Sequence, residues 1–150
     1  MSAMPGPGEH DSVVGHSFTL EVDGVRVATL TEVSGLALER EVVEVKETAA
    51  DGTFVIKRMP GRRRPGEVLL TRGLTDDRTF EHWVRDPTHG PGAAHGSVSI
   101  VVFDVQGRRV ATYALAEAWP RRLEIGGLTA GADEVLTEQL VLVYQSLERT

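Results

Sequence analysis

Apolar and polar residues alternate strictly in the first patterned stretch of the chain. Phe18, Leu20 and Val22 alternate with polar residues, an Asp-Gly pair follows, and a second alternating stretch begins at Val25. Alternation puts every second side chain on one face of a strand, and Asp-Gly between two such runs is a strong signal for a β-hairpin. The pattern therefore predicts strands over about residues 16–22 and 25–32.

The same kind of pattern recurs along the rest of the chain. It predicts further strands over about residues 36–46, 53–59, 67–71, 97–105, 108–115, 118–125 and 134–147. Residues 60–66 carry a Pro-Gly pair at each end and are expected to form an exposed loop. Short strands at regular spacing, separated by turn residues, are typical of β-sandwiches and β-barrels.

One segment has a helical rather than a strand period. Phe80, Trp83 and Val84 are spaced to form a single apolar stripe on a helix over about residues 75–85. Thr75 is the expected N-cap, because its hydroxyl can accept a backbone N–H that the first turn leaves unpaired. We expect this helix to lie against the sheet with Trp83 in the core.

These elements define the expected fold class and domain organisation. The sequence predicts a mainly β protein, an antiparallel β-barrel or sandwich of about eight strands with one short flanking α-helix. Residues 16–150 are expected to form this single domain. Residues 1–15 are rich in Gly and Pro and poor in apolar side chains, and are expected to form a flexible N-terminal arm.

Charge and composition remove several classes of function. The formal net charge is −6, which gives no reason to expect nucleic-acid binding. The chain has no cysteine, which excludes disulfides, thiolate catalysis and zinc sites built on sulfur. The N-terminus lacks the pattern of a signal peptide, and no apolar stretch is long enough to span a bilayer. We expect cytoplasmic synthesis without a signal peptide and no membrane insertion by the subunit.

The histidines and glycine-rich segments do not suggest a cofactor or metal site. His82, His89 and His95 lack the spacing that brings metal ligands together, and His10 and His16 lie in or beside the N-terminal arm. The two Gly-Pro-Gly segments lack the flanking strand and helix of a dinucleotide-binding loop. We therefore expect no metal, no cofactor and solvent-facing histidines.

The other candidate catalytic groups have simpler structural explanations. Ser34 lacks the glycine spacing of a nucleophile elbow. Asp76 and Asp77 are sequence neighbours and point in different directions on a helix, so they do not form a carboxylate pair. The sequence therefore predicts a protein that is not an enzyme.

A second feature is the density of charge between about residues 39 and 59. Charge on a hairpin can protect a sheet edge from aggregation, or it can form a complementary surface for a subunit contact. Composition alone favours protection of the edge. Arg62, Arg63 and Arg64 follow, and one basic triplet on an acidic protein indicates a solvated loop or an interface contact rather than a nucleic-acid site.

Several segments resemble, in order and spacing, the tail-tube protein family of contractile phages and related injection systems. They are Phe18–Val25 with Leu30–Leu36, Glu39–Glu44, Lys57–Gly61, Val68–Asp77 with Trp83, Val98–Leu115, Ala118-Trp119-Pro120 and the final stretch from Glu134 to Leu147. The resemblance covers about residues 16–148. Residues 47–53 depart from it, since the family often has a glycine-rich turn with an aromatic residue there.

The resemblance implies an assembly as well as a fold. It implies hexameric rings whose protomers extend one another's sheets around a channel, and rings that stack into a hollow tube inside a contracting sheath. The implied partners are other copies of the chain, sheath and baseplate proteins, and protein cargo or phage DNA in the lumen. The implied location is a phage-tail-like particle, either a virion or an injection device.

In this family the corresponding hairpin, about residues 38–59, reaches neighbouring subunits and the adjacent ring, which reverses the preference from composition. The implied self-assembly residues are Glu39, Glu41, Glu44, Lys46, Glu47, Phe54, Lys57, Arg58, Arg62, Arg63 and Arg64. Two alternatives stay open. One is a tube-initiator ring of the baseplate or a ring protein of type VI secretion, and the other is a small ligand-binding β-barrel.

Overall fold

The computed structural model describes residues 16–88, 97–131 and 135–150. The expected N-terminal arm lies outside these ranges, as do His10, His89 and His95. The described residues form eleven β-strands and one α-helix. In chain order they are β1 (Ser17–Val22), β2 (Val25–Leu30), β3 (Glu32–Ser34), β4 (Arg40–Thr48), β5 (Phe54–Arg63), β6 (Gly66–Gly73), α1 (Thr79–Arg85), β7 (Val98–Phe103), β8 (Arg109–Ala116), β9 (Trp119–Ile125), β10 (Thr137–Tyr144) and β11 (Ser146–Arg149).

The strands form two large antiparallel sheets and one small one. The large sheets have the orders β11-β8-β7-β1-β2 and β3-β6-β10-β9, and the small sheet contains β4 and β5 alone. This mainly β architecture with a single short helix confirms the predicted fold class. The strand count was underestimated, because the sequence pattern does not show where a long strand bends from one sheet into the other.

Three bends join the two large sheets into a barrel. β2 continues into β3 through Thr31, whose N–H donates to the Thr71 carbonyl at 2.8 Å. β10 continues into β11 through Gln145, whose N–H donates to the Ala116 carbonyl at 2.9 Å. β8 turns into β9 at Glu117, where φ is +51°. When each bent pair is counted as one strand, the strands pair in the order β1, β2/β3, β6, β10/β11, β8/β9, β7. Since β7 pairs with β1, the barrel is closed.

The first hairpin is confirmed with its turn. Asp23 and Gly24 both have positive φ, 53° and 78°, as the favoured two-residue turn requires. The Asp23 carboxylate also accepts the Ser97 N–H at 2.8 Å, which ties this turn to the start of β7. The Asp-Gly pair therefore sets the register of β1 against β2.

Large apolar side chains from both sheets and from α1 form one core. Leu20, Ile100, Leu140 and Leu142 are fully buried inside the barrel, and Trp83 of α1 is 1% exposed. α1 packs against β9. The expectation that Trp83 lies in the core is confirmed.

The helix begins four residues later than predicted, and Thr75 is not its cap. α1 starts at Thr79, and the side chain of its N-cap residue, Arg78, makes no capping hydrogen bond. The Thr75 hydroxyl instead accepts the Asp77 N–H at 3.2 Å. The Asp77 carboxylate accepts the Thr79 N–H at 3.1 Å and the Thr79 hydroxyl at 2.6 Å. These bonds fold residues 75–78 into a turn, which the helical period of the sequence does not reveal.

A buried arginine holds this turn against the barrel. The Arg72 guanidinium pairs with Glu138, and both side chains are 6% exposed. It also donates to the Asp77 carboxylate at 3.0 Å and lies 3.9 Å from the centre of the Phe80 ring. The Thr79 hydroxyl bond, with the Arg72 contact, lowers the pKa of Asp77. Arg72 thus connects β6, β10 and the beginning of α1.

Three predicted strand boundaries were wrong. The segment expected to be a strand from Leu36 is strand only from Arg40, and the final long strand is divided at Gln145 into β10 and β11. Residues 60–66 are not an exposed loop, because β5 runs through Pro60 to Arg63. β5 pairs only with β4, so Pro60 lies on a strand whose other edge has no partner among the described strands, where its missing N–H is tolerated.

Candidate assembly interface

The β4–β5 hairpin lies outside the barrel. Its two strands pair with each other from Arg40 opposite Arg63 to Thr48 opposite Phe54, and with no other described strand. None of its residues is buried. An isolated two-stranded hairpin is marginally stable in water, so its stability in this chain comes from its own side chains and from its attachment to the barrel.

A row of ion pairs connects the two strands. The pairs are Glu47–Lys57 at 2.8 Å, Arg58–Glu44 at 3.4 Å, Arg62–Glu41 at 3.2 Å and Arg64–Glu39 at 3.3 Å. In each pair the carboxylate is on the β4 side and the cation on the β5 side. Exposed pairs contribute about 0.2–1 kcal/mol each, so the row favours one register without fixing the hairpin by itself.

Large apolar side chains on the hairpin are exposed to solvent. Directly opposite residues share a face, so Val42 and Pro60, Lys46 and Ile56, and Thr48 and Phe54 all lie on one face. On that face Phe54 is 76% exposed, Val42 66% and Ile56 57%. The Glu44–Arg58 pair lies on the same face. Large exposed apolar side chains among charged ones are typical of an interaction surface.

The tip of the hairpin is fixed by its own polar side chains. The Asp51 carboxylate accepts the Thr53 hydroxyl at 2.6 Å and the Thr53 N–H at 3.0 Å, and both bonds lower the pKa of Asp51. Gly52 has φ of +84°, where other residues are strained. This tip is the segment where the sequence departs from the family pattern, and the structure closes it with an Asp-Gly turn.

The root of the hairpin is attached to the barrel through a buried tyrosine. The Tyr144 hydroxyl accepts the Ala37 N–H at 3.4 Å and donates to the Ala37 carbonyl at 3.3 Å. Gly66 permits this contact, since a Cβ there would lie 2.5 Å from the Tyr144 hydroxyl oxygen. The sequence pattern does not predict this attachment. The Pro65-Gly66 pair is the available signal, and by itself it predicts the end of an exposed loop.

The eleven predicted interface residues all lie on this hairpin or at its root. Eight of them form the four ion pairs, and Lys46, Phe54 and Arg63 have no ion pair among the described residues. All are exposed except Glu41, which is half-buried. The structure therefore brings the residues together on one protruding element, and their role in self-assembly stays a prediction.

The other candidate residues lie apart from the hairpin. His82 and His16 are exposed, as expected. Within residues 16–88, 97–131 and 135–150, no three His, Asp or Glu side chains converge in a way that could hold a metal ion. No helix in the described part of the chain combines the length and apolar character needed to cross a bilayer.

The β4–β5 hairpin lies outside the barrel and exposes large apolar side chains, which is typical of a surface that binds another chain. The sequence identifies the family. Residues 14–148 match the family model of the T4-like virus tail tube protein gp19, and the chain belongs to that family.

Solved structures with the same fold come from contractile injection systems. The chain is similar to a protein in the extended sheath-tube complex of the extracellular contractile injection system PVC, with a TM-score of 0.75 and 15% identity over 95% of this chain and 93% of that one. It is also similar to a protein in the tube-terminating cap of the anti-feeding prophage AFP, with a TM-score of 0.71 and 17% identity over 100% and 93% of the two chains.

A third relative is Hcp1 from Flavobacterium johnsoniae, with a TM-score of 0.55 and 14% identity over 89% of this chain and 94% of that one. A comparison with curated protein sequences gives no match. Family and fold together are those of a structural inner-tube subunit.

Proposed function

We propose that this chain forms hexameric rings that stack into the hollow tube of a contractile phage-tail-like injection system. The observation that carries the proposal is the β4–β5 hairpin, which extends outside the barrel in a member of the tail tube family. Eight of its charged residues form four ion pairs within the chain, whereas Val42, Ile56 and Phe54 on one face are uncovered. The hairpin residues predicted from the sequence are, on this proposal, the contact with neighbouring copies.

The energetics favour a contact of this kind. Burying a large apolar side chain contributes about 1.5–3 kcal/mol, and Phe54, Val42 and Ile56 are available on one face for every copy. A hairpin of one copy on the barrel of the next is a head-to-tail contact. Such contacts form rings when the rotation closes and filaments when it does not.

Three solved structures with this fold support a setting for the tube. They are a sheath-tube complex, a tube-terminating cap and a baseplate. We infer that sheath and baseplate proteins surround the tube of this chain, and that protein cargo or phage DNA passes through its lumen. The role is structural, with no catalytic step and no cofactor, and its place is a virion or an injection device.

The second candidate is a specialised ring rather than the repeated tube. The observation in its favour is that a protein in the AFP cap and one in the AFP baseplate match this chain over 100% and 99% of its length. In this case the chain forms a single ring that begins or ends a tube, or a ring like that of Hcp1.

Negative-stain electron microscopy of the purified chain, over a series of protein and salt concentrations, tests both candidates. We expect rings and hollow filaments from the wild-type chain and neither from Phe54→Ser. Val105→Ser is the matched control, because Val105 is equally exposed but lies on the β7–β8 turn. Isolated rings at every concentration would favour the specialised ring. Monomers under all conditions would favour a ring that needs a baseplate template, or the small ligand-binding barrel, over a tube that forms by itself.

A further inference from the structure

The β4–β5 hairpin is joined to the barrel by two short segments that lie outside the strands. Residues 35–39 connect β3 to β4, and residues 64–65 connect β5 to β6. Both faces of the hairpin are open to solvent, because Val43 and Met59, on the face opposite Phe54, are also exposed. Strand pairing and side-chain packing therefore leave the angle between hairpin and barrel open.

One side chain of the barrel holds the first of these segments. Ala37, in the middle of residues 35–39, donates its N–H to the Tyr144 hydroxyl at 3.4 Å, and its carbonyl accepts the hydroxyl proton at 3.3 Å. A neighbouring strand would satisfy a backbone residue in the same two ways. In the described part of the chain, no other hydrogen bond or ion pair joins residues 35–64 to the barrel strands.

This attachment lies at the point where the chain leaves the core. Leu36, the residue before Ala37, packs against the core, whereas Leu38, the residue after it, is exposed to solvent. The Tyr144 hydroxyl therefore acts directly beside the start of the hairpin, where a small change of backbone direction becomes a large displacement of the tip.

The Tyr144 ring is itself held in one position. It is buried at the end of β10, opposite Gly66 of β6. A Cβ at Gly66 would lie 2.5 Å from the hydroxyl oxygen and 2.6 Å from the ring carbon that bears it. Gly66 does not have the positive φ that would by itself favour glycine. Glycine is required here for steric reasons, and the space that it leaves is occupied by the end of the ring that carries the hydroxyl.

We infer that Tyr144 is a positioning residue, whose hydroxyl fixes the angle at which the hairpin leaves the barrel and is presented to a neighbouring copy. The inference rests on the proposed function, because it concerns the orientation of the proposed assembly contact. A hairpin held in one orientation loses less conformational freedom on binding than one that pivots, so it binds more tightly without any additional contact.

Distances between spin labels in the monomer test the orientation directly. The chain contains no cysteine, so Thr48→Cys at the end of β4 and Val105→Cys on the β7–β8 turn carry the only two labels. Double electron–electron resonance on dilute, monomeric protein gives the distribution of label distances. We expect a narrow distribution with Tyr144 present and a distribution at least about twofold wider with Tyr144→Phe. Gly66→Ala keeps the hydroxyl but displaces it, and is expected to widen the distribution as well.

Tyr113→Phe is the matched control, because it removes the hydroxyl of the chain's other tyrosine. Tyr113 is half-buried on β8, and its hydroxyl makes no hydrogen bond to residues 35–64 in the described ranges. This variant is expected to keep the narrow distribution. Urea unfolding separates positioning from stability, since a merely structural role would lower the urea midpoint of Tyr144→Phe and leave its distance distribution narrow.

The unlabelled variants, without the two cysteines, test the consequence for assembly. We expect Tyr144→Phe to raise the protein concentration at which rings or filaments form by at least about fivefold, because each copy must order its hairpin on binding. Tyr113→Phe is expected to assemble like the wild-type chain. Sedimentation over a concentration series, with electron microscopy of the pellets, measures both.

The outcomes separate this inference from the tube itself. An unchanged distance distribution in Tyr144→Phe would overturn the inference and leave the tube intact. A wider distribution with unchanged assembly would also overturn it, because the contact would then not depend on the orientation of the hairpin. If the wild-type chain formed neither rings nor filaments, the proposed tube would fail, and the distance distributions would still decide whether the hydroxyl positions the hairpin.

Discussion

The barrel and the β4–β5 hairpin use the same residue types in opposite ways. In the barrel, Phe80 is 0% exposed, and the charged side chains of Arg72 and Glu138 are buried as a pair. In the hairpin, Phe54 is 76% exposed, and all four ion pairs lie in solvent. The barrel thus buries its core side chains within one chain, while the hairpin leaves large apolar side chains uncovered. On the proposed function, we expect stability and assembly to respond to different substitutions.

The largest expected contrast comes from the same substitution in each region. Phe80→Ala removes a fully buried ring that packs in the core and lies against the Arg72 guanidinium, and is expected to lower the free energy of unfolding by about 3–5 kcal/mol. Phe54→Ala removes an exposed ring and is expected to change it by less than about 0.5 kcal/mol. Urea unfolding followed by tryptophan fluorescence measures both.

For assembly we expect the opposite ranking: Phe54→Ala, which barely changes stability, should impair assembly most. Phe54→Ala is expected to stay folded and to lose rings and filaments in electron micrographs, because the uncovered apolar face loses its largest side chain. Equal destabilisation by the two substitutions would mean that the hairpin packs on the barrel in solution, and the contrast between the regions would be lost.

The sequence predicts the barrel well where local pattern and structure agree. The alternation around Asp23-Gly24 gives the first hairpin with its register, and the stripe of Phe80 and Trp83 gives the buried face of α1. The break at Glu117 falls between two predicted strands, whereas the bends at Thr31 and Gln145 were missed, because the residues on both sides of a bend keep an extended pattern. The length of the hairpin was missed because the Pro-Gly pairs at both ends of residues 60–66 predict an exposed loop, although a strand with an unpaired edge tolerates Pro60 and Gly61.

The candidate interface is likewise predictable from the sequence only in part. Its position on the hairpin follows from charge density and from the family resemblance. Its organisation does not, because the pairing of Glu47 with Lys57 or of Glu41 with Arg62 depends on a cross-strand register that includes a bulge near Arg40. Arg149 and Tyr144 were missed for another reason: they are far from the hairpin in sequence and reach its root only through the barrel topology.

The second prediction concerns the buried ion pair of the barrel, Arg72 with Glu138, which has no counterpart in the hairpin. Arg72→Met leaves the Glu138 carboxylate buried without its partner and removes the contact with Asp77. We expect a loss of about 3 kcal/mol in the free energy of unfolding, the lower end for breaking a buried pair, because methionine keeps much of the packing on Phe80. Chemical denaturation measures it.

The control replaces both partners. Arg72→Met with Glu138→Leu removes the unpaired charge and is expected to recover most of the lost stability, because well-packed apolar residues often replace a buried pair at little cost. The loss of unfolding free energy in the double variant could instead equal the sum of the losses in the two single variants. Arg72 and Glu138 would then not be energetically coupled, and the inferred connection of β6, β10 and α1 would be wrong.

Reversal of charge in the hairpin is expected to affect stability less than breaking the buried pair. Lys57→Glu with Arg58→Glu breaks the pairs with Glu47 and Glu44, and is expected to cost the monomer about 1 kcal/mol or less because all four groups are exposed. We expect the variant to remain a folded monomer and to form no stacked rings, as seen by unfolding curves and electron microscopy. Adding Glu44→Arg and Glu47→Lys restores the pairs inside the hairpin with inverted charge. If that fourfold variant still failed to stack, the charges would act on a neighbouring copy; if it stacked normally, they would act only by holding the hairpin in register.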